Sequence, residues 1–525
     1  MAARTTVVSS PGKVLMAGGY LVLDPQYSGV VVSTSSRFYT VVQSAVSAEP
    51  GHQDRPIQIS VRSPQFVNAT WVYELDVKDD TVRVEQRDVS GSGTNKFVHL
   101  AIERTLAYAL EVRRVSALKK ALSVDLNVTI LGDNDFYSQR AQLASRKLPP
   151  TIASLSKLPP FLPSGVPVSQ VNKTGLGSSA ALITSLVSAL LLHLEVIPSD
   201  SFTSEQPSDG RHIAHNLAQY VHCLAQGKVG SGFDVSAAAF GSQLYRRFKP
   251  EVLKGLMDNA TSAGSLKDTI SPSNKGWDYH VEPFQLPPQV RMMLADVNAG
   301  TETVSAVQKV LKWRKESQDT TGRKPADKDS AAKTSVVATD PWETINQHNK
   351  ALSQLLLNLS LLAKQYPKEY KKIVKYISTI HASQWMAFPG FSAQESVIVD
   401  TFEQVHQAAE AIRKHMKKMG EDAGVEIEPD KQTKLLNRCL SVAGVIGGGV
   451  PGAGGYDAIW LLVIDPIDCP PSELPSSRVE SVWAEYTEMS VSPLLASESV
   501  AKGLRVEKLE DIPGLKDAVE TTETA

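Results

Sequence analysis

Asn172-Lys173-Thr174-Gly175-Leu176-Gly177-Ser178-Ser179-Ala180-Ala181 crowds small residues together just ahead of an apolar run that continues to residue 194. A loop of this kind exposes consecutive backbone N–H groups and feeds them into a helix N-terminus, where free amides and the positive end of the helix dipole both favour an anion. Gly175 and Gly177 permit close backbone approach, and Ser178 and Ser179 add hydroxyls able to meet phosphate oxygens or a metal ion. The stretch is not a Walker A loop, since no Gly-Lys-Ser or Gly-Lys-Thr follows at the required spacing. It lacks the third glycine of the dinucleotide fingerprint. By composition alone, a structural Gly/Ser helix cap accounts for it as well as a phosphate site does.

Outward from this loop, residues 179–194 are apolar nearly all round and predict a buried central helix. An amphipathic helix is predicted over 211–226, and an Ala-rich one begins near 235. Upstream, short runs rich in Val, Ile, Thr and aromatics predict strands at 5–8, 29–33, 39–43, 57–62, 71–75, 81–85 and 124–131, with one helical segment at 96–111. Residues 144–169 are rich in Pro, Ser and Lys and read as an irregular loop. Downstream, strands are expected at 241–247, 291–297 and 458–464, and long helices near 342–365 and 395–418. Residues 312–335 are strongly polar and read as a mobile insertion. There is no internal repeat. The irregular order of strands and helices predicts an α+β fold rather than a doubly wound sheet. The Pro, Gly, Ser and Asn content of 250–280 places a domain boundary there, dividing the chain into 1–260 and 280–525, with the polar insertion at about 312–340.

The 525 residues suffice for a sizeable core, and 42% hydrophobic with 21% charged residues is a globular composition. A net charge of −2 argues against a generally basic nucleic-acid or membrane-surface binder. Cys223, Cys439 and Cys469 are odd in number and far apart, which speaks against a disulfide framework and for a reducing compartment. The first ten residues lack the apolar core of a secretory signal and run straight into what reads as a functional loop at Pro11. The apolar stretch 180–194 is too short and too interrupted by Thr184, Ser185, Ser188 and His193 to span a bilayer. A cytoplasmic protein is expected.

Three further segments complete the pattern. Pro11-Gly12-Lys13-Val14-Leu15-Met16-Ala17-Gly18-Gly19-Tyr20 lies near the N-terminus, Gln226-Gly227-Lys228-Val229-Gly230-Ser231-Gly232-Phe233-Asp234 in the middle, and Gly447-Gly448-Gly449-Val450-Pro451-Gly452-Ala453-Gly454-Gly455-Tyr456-Asp457 near the C-terminus. With the first stretch, these resemble the motifs of the GHMP small-molecule kinases, whose central loop reads Gly-Leu-Gly-Ser-Ser-Ala at 175–180. The Gly18-Gly19-Tyr20 and Tyr456-Asp457 variants resemble the phosphomevalonate kinase branch. So do the stretches at 296–303 and 427–433.

The resemblance implies a two-domain α+β fold, with an N-terminal domain like that of ribosomal protein S5, a ferredoxin-like C-terminal domain, and the active site in the cleft between them. It implies ATP held by Lys173, Thr174, Gly175, Leu176, Gly177, Ser178, Ser179, Ala180 and Ala181, with Mg2+ touched by Ser179. Lys13 would stand by the transferred phosphoryl and Asp234 would be the catalytic carboxylate. The acceptor, 5-phosphomevalonate, would meet Tyr20, Lys228, Ser231, Gly300, Thr301, Gly452, Ala453 and Gly454. One departure concerns the metal. Mevalonate kinases carry a magnesium-binding carboxylate on the helix before the Asp loop, whereas Tyr220-Val221-His222-Cys223 has none. His222 itself reads as a satisfied helix histidine ahead of a phosphate contact.

A phosphate acceptor is already mostly dianionic at neutral pH, so its difficulty is repulsion between two polyanions rather than deprotonation. That suits a site with several cations, for which Lys13, Lys173 and Lys228 are candidates. Asp234 is then expected mainly to orient Lys13 and to take any residual proton. The alternatives are a GHMP kinase for another acceptor, such as mevalonate, and a non-catalytic ligand sensor on the same fold. The Gly18-Gly19-Tyr20 variant argues against the first, and the joint presence of Lys13, Asp234 and the Ser178-Ser179 pair against the second.

Overall fold

The computed structural model describes residues 4–521 apart from 46–55, 79–80, 90, 114, 205, 259–265, 298–302, 321–339 and 389. Its strands are β1 (Thr5–Ala17), β2 (Ser28–Ser44), β3 (Ile57–Arg62), β4 (Thr70–Lys78), β5 (Thr81–Arg87), β6 (Leu126–Gly132), β7 (Gln243–Arg246), β8 (His280–Pro283), β9 (Val290–Asp296), β10 (Val445–Gly449), β11 (Ala458–Ile464), β12 (Ser492–Pro493) and β13 (Arg505–Val506). Nine of them form one sheet in the order β13-β1-β2-β6-β3-β4-β5, with β7 joined to β2 and β8 to β7. Strands β3 and β6 run parallel. Two members, β8 and β13, come from beyond residue 260. The other four strands form an antiparallel sheet, β10-β11-β9-β12.

The two short strands expected at 29–33 and 39–43 are one continuous strand, β2. Its polar middle hides the continuity, because buried Arg37 finds partners there: its Nε donates to Ser9 Oγ at 2.7 Å and its backbone N–H to Asp133 Oδ2 at 2.7 Å. The loop expected at Pro11 is likewise strand. β1 runs to Ala17, with its pairing to β2 shifted between Pro11 and Lys13 and again between Leu15 and Ala17. Such irregularities suit a residue without an N–H and one without a side chain, and they re-aim the side chains beside them.

The helix Ser178–His193 lies against β1, β2 and the helix Lys96–Val112. Ile183, Leu186, Val187, Leu190 and Leu191 are all buried. Each contributes roughly 1.5–3 kcal/mol in area removed from water, which explains why the run is apolar on every face. The Ser185 hydroxyl is accommodated by Thr40 at 2.9 Å. Strand β11 is apolar throughout for a related reason. Ile459, Leu461 and Val463 join Leu435, Leu436, Val479 and Trp483 on one side, while Trp460, Leu462 and Ile464 join the main core on the other. A strand covered on both faces has no polar side to show.

Two further expectations change. The stretch 144–169 holds short helices at its start and middle, Arg140–Ser145 and Ile152–Leu155, and a 3-10 turn, Val168–Gln170. The polar stretch from 312 begins as helix, since Thr303–Thr320 is helical. Arg314 there lies 3.8 Å from the Trp342 ring centroid and pairs with Asp24 at 3.1 Å, a stacked cation that a polarity argument misses. Residues 321–339 of the expected insertion lie outside the described residues. Among the described residues, no helix is long and apolar enough to cross a membrane, and all three cysteines are free.

Candidate active site

The central loop delivers its glycines where the backbone needs them. Gly175 and Gly177 have φ of 78° and 79°, and Gly177 caps the helix Ser178–His193. Lys13 arrives from the irregular part of β1. Its backbone N–H donates to Leu176 O at 2.9 Å and its Nζ to Gly175 O at 2.9 Å. The lysine stem lies so close to Gly177 that a Cβ there would stand 2.9 Å from Lys13 Cε. The loop and the lysine are therefore one unit. Ser178 and Ser179 open the helix, and Ala180 and Ala181 are buried beneath it.

A second wall comes from the helix Asp209–Gln226, which ends at Gly227 with φ 69°. The loop that follows turns at Gly232 (φ 76°) into the helix Phe233–Phe240, whose first turn carries Asp234. A carboxylate suits that position on dipole grounds. Three side chains hold this loop by its carbonyls: Gln219 Nε2 donates to Gly232 O at 2.7 Å, Tyr245 OH to Ser231 O at 2.8 Å, and Arg247 Nη2 to Gly230 O at 2.6 Å. Arg247 also donates to Leu23 O at 2.5 Å, tying the loop to the 3-10 turn Leu21–Leu23 that follows the N-terminal motif. Lys13 Nζ stands 5.3 Å over the Phe233 ring. His222, from the preceding helix, has its Nε2 3.1 Å from Ser179 Oγ and its Nδ1 3.9 Å from Asp234 Oδ2.

The third loop closes onto both. Gly452 N donates to Leu15 O at 3.2 Å, Tyr20 OH to Ala453 O at 2.6 Å, and Gly455 N to Ile427 O at 2.9 Å. The Asp457 Cβ lies 3.7 Å from where a Gly175 Cβ would be. Burial pulls the Lys13 ammonium below its ordinary value, and Asp234 and then Asp457 push it back up. One lysine thus faces two carboxylates across a phosphate-type loop.

The structure brings Lys13, Gly175, Leu176, Gly177, Ser178, Ser179 and Asp234 together, with Ser231 and Gly452 on the adjoining loops. Thr174 and Tyr20 spend their hydroxyls on the scaffold: Thr174 donates to Asp135 O, and buried Tyr20 donates to Ala453 O. Gly454 is packed against the chain, with Ile427 O only 2.3 Å from its would-be Cβ. Lys173 and Lys228 are exposed. Gly300 and Thr301 lie outside the described residues. Sequence reasoning did not select Asp457, Gln219, Tyr245 or Arg247 for the site. For Asp457 a signal existed, a carboxylate inside a glycine-rich loop; for the other three, only the fold reveals the carbonyls they hold. No group of three or more His, Cys, Asp or Glu able to hold a metal ion occurs among the described residues.

No family model matches the chain. Known proteins do. The chain is 37% identical over 481 residues to a phosphomevalonate kinase of Arabidopsis thaliana named as peroxisomal, covering 87% of this chain and 90% of that protein. It is 36% identical over 493 residues to phosphomevalonate kinase erg8 of Aspergillus fumigatus, covering 88% of each. It is 34% identical over 522 residues to phosphomevalonate kinase ERG8 of Gibberella zeae, covering 97% of this chain and 98% of that one. Among solved structures, the Streptococcus pneumoniae phosphomevalonate kinase in complex with phosphomevalonate and AMPPNP matches with a TM-score of 0.52 at 14% identity, over 95% of this chain and 100% of that one. A Lin0012 protein of Listeria innocua matches with a TM-score of 0.58 at 13% identity, over 96% and 100%. The two structures agree with the α+β fold. Identity at this level over nearly whole chains, on a fold that gathers Lys13, the Gly175–Ser179 loop and Asp234 into one site, places this chain in the phosphomevalonate kinase family.

Proposed function

We propose that this chain transfers the terminal phosphoryl group of ATP to the phosphate of (R)-5-phosphomevalonate, giving (R)-5-diphosphomevalonate and ADP, a step toward isoprenoids and sterols. The observation that carries this reading is the Lys13 ammonium, fixed against the Gly175–Gly177 loop and faced by Asp234 and Asp457. An acceptor phosphate oxygen attacks the γ-phosphorus while the bond to the β,γ-bridging oxygen breaks and the electron pair leaves with ADP. Little covalent help is needed; positioning and charge neutralisation do the work. In this reading the helix Ser178–His193 presents its N-terminus to the triphosphate, and Lys13 neutralises charge on the moving group. Asp234 orients Lys13, and Lys228 and Ser231 face the acceptor. Lys173 adds positive charge at the rim.

Magnesium fits as an ion carried in on the nucleotide. Ser179 and Asp234 offer oxygens on opposite sides of His222, and a magnesium ion bound mainly by phosphates needs few protein ligands. Once bound, it supplies charge neutralisation on the phosphate oxygens. We assign residues 1–260 to an ATP-binding unit and 280–525 to a unit closing the acceptor side. The compartment we propose is the cytoplasm, supported by three free cysteines; co-localisation of the tagged protein with a peroxisomal marker would contradict it.

The test is ADP release by the purified chain with ATP and Mg2+, offered phosphomevalonate, mevalonate, homoserine and galactose in parallel. Turnover with phosphomevalonate alone is expected. Turnover with another acceptor overturns the substrate, and silence with all four, in folded protein, favours a sensor. Asp234→Asn is expected to lose activity to the same extent at about pH 5–6, where the acceptor phosphate is partly protonated, and at about pH 7, where it is mostly dianionic. A loss confined to about pH 5–6, where the acceptor phosphate still holds a proton, would make Asp234 a base instead.

A further inference from the structure

We infer that His222 is a positioning residue that joins the phosphate loop to the carboxylate loop and sets the hydrogen-bonding sense of Ser179. The inference rests on the kinase reading above. His222 is 4% exposed, and its ring is hemmed in on both nitrogens. Nε2 stands 3.1 Å from Ser179 Oγ and 3.1 Å from Gln226 Nε2; Nδ1 faces Asp234 Oδ2 at 3.9 Å. The Gln226 amide nitrogen is a donor and has no lone pair to offer, so the Nε2 it meets is the acceptor. The ring proton then sits on Nδ1, toward the carboxylate. An Nε2 without a hydrogen meets the Ser179 hydroxyl only as an acceptor, its one lone pair shared between the two donors.

The consequence is chemical. With its proton turned inward to the ring, Ser179 keeps only oxygen lone pairs for whatever lies at the helix N-terminus. It acts there as a ligand to a cation, not as a donor to a phosphate oxygen. The His222 imidazole thus acts through Ser179 rather than on the ion. The same ring limits how far Asp234 can swing from Lys13. A histidine serving only to fill the helix interface has no need of Ser179 and Asp234 on its two nitrogens.

The test uses the full chain with Mn2+ as a paramagnetic probe in the presence of AMPPNP, its affinity measured by electron paramagnetic resonance alongside melting curves. Loss of a group that orients a metal ligand typically weakens metal binding about 10–100-fold, and that range is expected for His222→Ala. Ser179→Ala should weaken it comparably, and the double variant should be no worse than Ser179→Ala, because the two act as one path. His222→Gln, which sets a carbonyl oxygen near the place of Nε2, should recover most of the affinity, while His222→Asn, which reaches only the place of Nδ1, should not. Additive losses in the double variant overturn the inference, as does unchanged Mn2+ affinity in folded His222→Ala. If His222→Ala does not fold, equal affinities for the Gln and Asn variants overturn it. No acceptor is needed for this readout. Wild type that binds Mn2+ with AMPPNP but ignores phosphomevalonate sinks the substrate and leaves the inference standing; wild type that does not bind Mn2+ with AMPPNP sinks both.

Discussion

The loops at Gly175–Ser179 and Gly452–Asp457 look alike on paper: both are rich in glycine, with positive φ at Gly175, Gly177, Gly452, Gly454 and Gly455. In the fold they differ in what the glycines are for. Gly177 makes room for a functional side chain, the Lys13 stem, and its loop runs into a helix N-terminus. Gly454 makes room for backbone, with Ile427 O pressed against it, and Gly452 and Ala453 are fastened to Leu15 and Tyr20. The first loop is built to receive a ligand, while the second is built to be packed and offers the site one carboxylate, Asp457. Glycine content alone does not separate the two uses, because a missing Cβ admits a ligand, a side chain or a carbonyl equally well.

Four measurements press on this contrast. Lys13→Met removes the group that the first loop positions and should lower kcat by about 10²–10³-fold with little change in melting temperature; a loss under tenfold would deny Lys13 its role. Gly177→Ala and Gly454→Ala each place a side chain at positive φ, costing about 1–2 kcal/mol. Gly454→Ala should lose more stability in chemical denaturation because its Cβ meets backbone, and Gly177→Ala more turnover per folded molecule because its Cβ displaces Lys13. The reverse order would break the comparison. Tyr20→Phe removes one hydroxyl bond from the packed loop, worth about 0.5–1.5 kcal/mol, and should leave kcat/KM for phosphomevalonate nearly unchanged. A large fall would show that the Tyr20 hydroxyl reaches the acceptor.

The smallest effect expected is electrostatic. Asp457 and Asp234 both raise the Lys13 pKa against the lowering by burial. Removing either charge lowers it further, so the alkaline limb of the pH–rate profile should move to lower pH in Asp457→Asn, and further in Asp234→Asn, the larger contributor. An unmoved limb in both would mean that Lys13 does not titrate in the active complex.

Much of this was legible in the chain. The strand at 57–62, the helix at 96–111 and the strand at 458–464 are found as Ile57–Arg62, Lys96–Val112 and Ala458–Ile464, because their apolar pattern, periodic in the first two and unbroken in the third, is strong and local. The continuity of β2 was not, since Ser36 and Arg37 are polar and yet buried, a combination that only partners brought from elsewhere permit. The helical start of the polar stretch was hidden for the same reason: Arg314 is a charge spent on an aromatic face.

By itself the sequence determined the local conditions: where glycine relieves a positive φ, which runs must be covered on every side, and which loops open a helix. These depend on a residue and its immediate neighbours. Tertiary structure alone decided who meets whom. Lys13 lies 162 positions from Gly175 and Ser179 lies 43 from His222, and strand register and helix packing bring them into contact. Tyr245 and Arg247 hold the Asp234 loop only because β7 joins the edge of β2. Hydrogen bonds act over about 3 Å, so a partner's identity is written in the fold's geometry and not in the spacing along the chain.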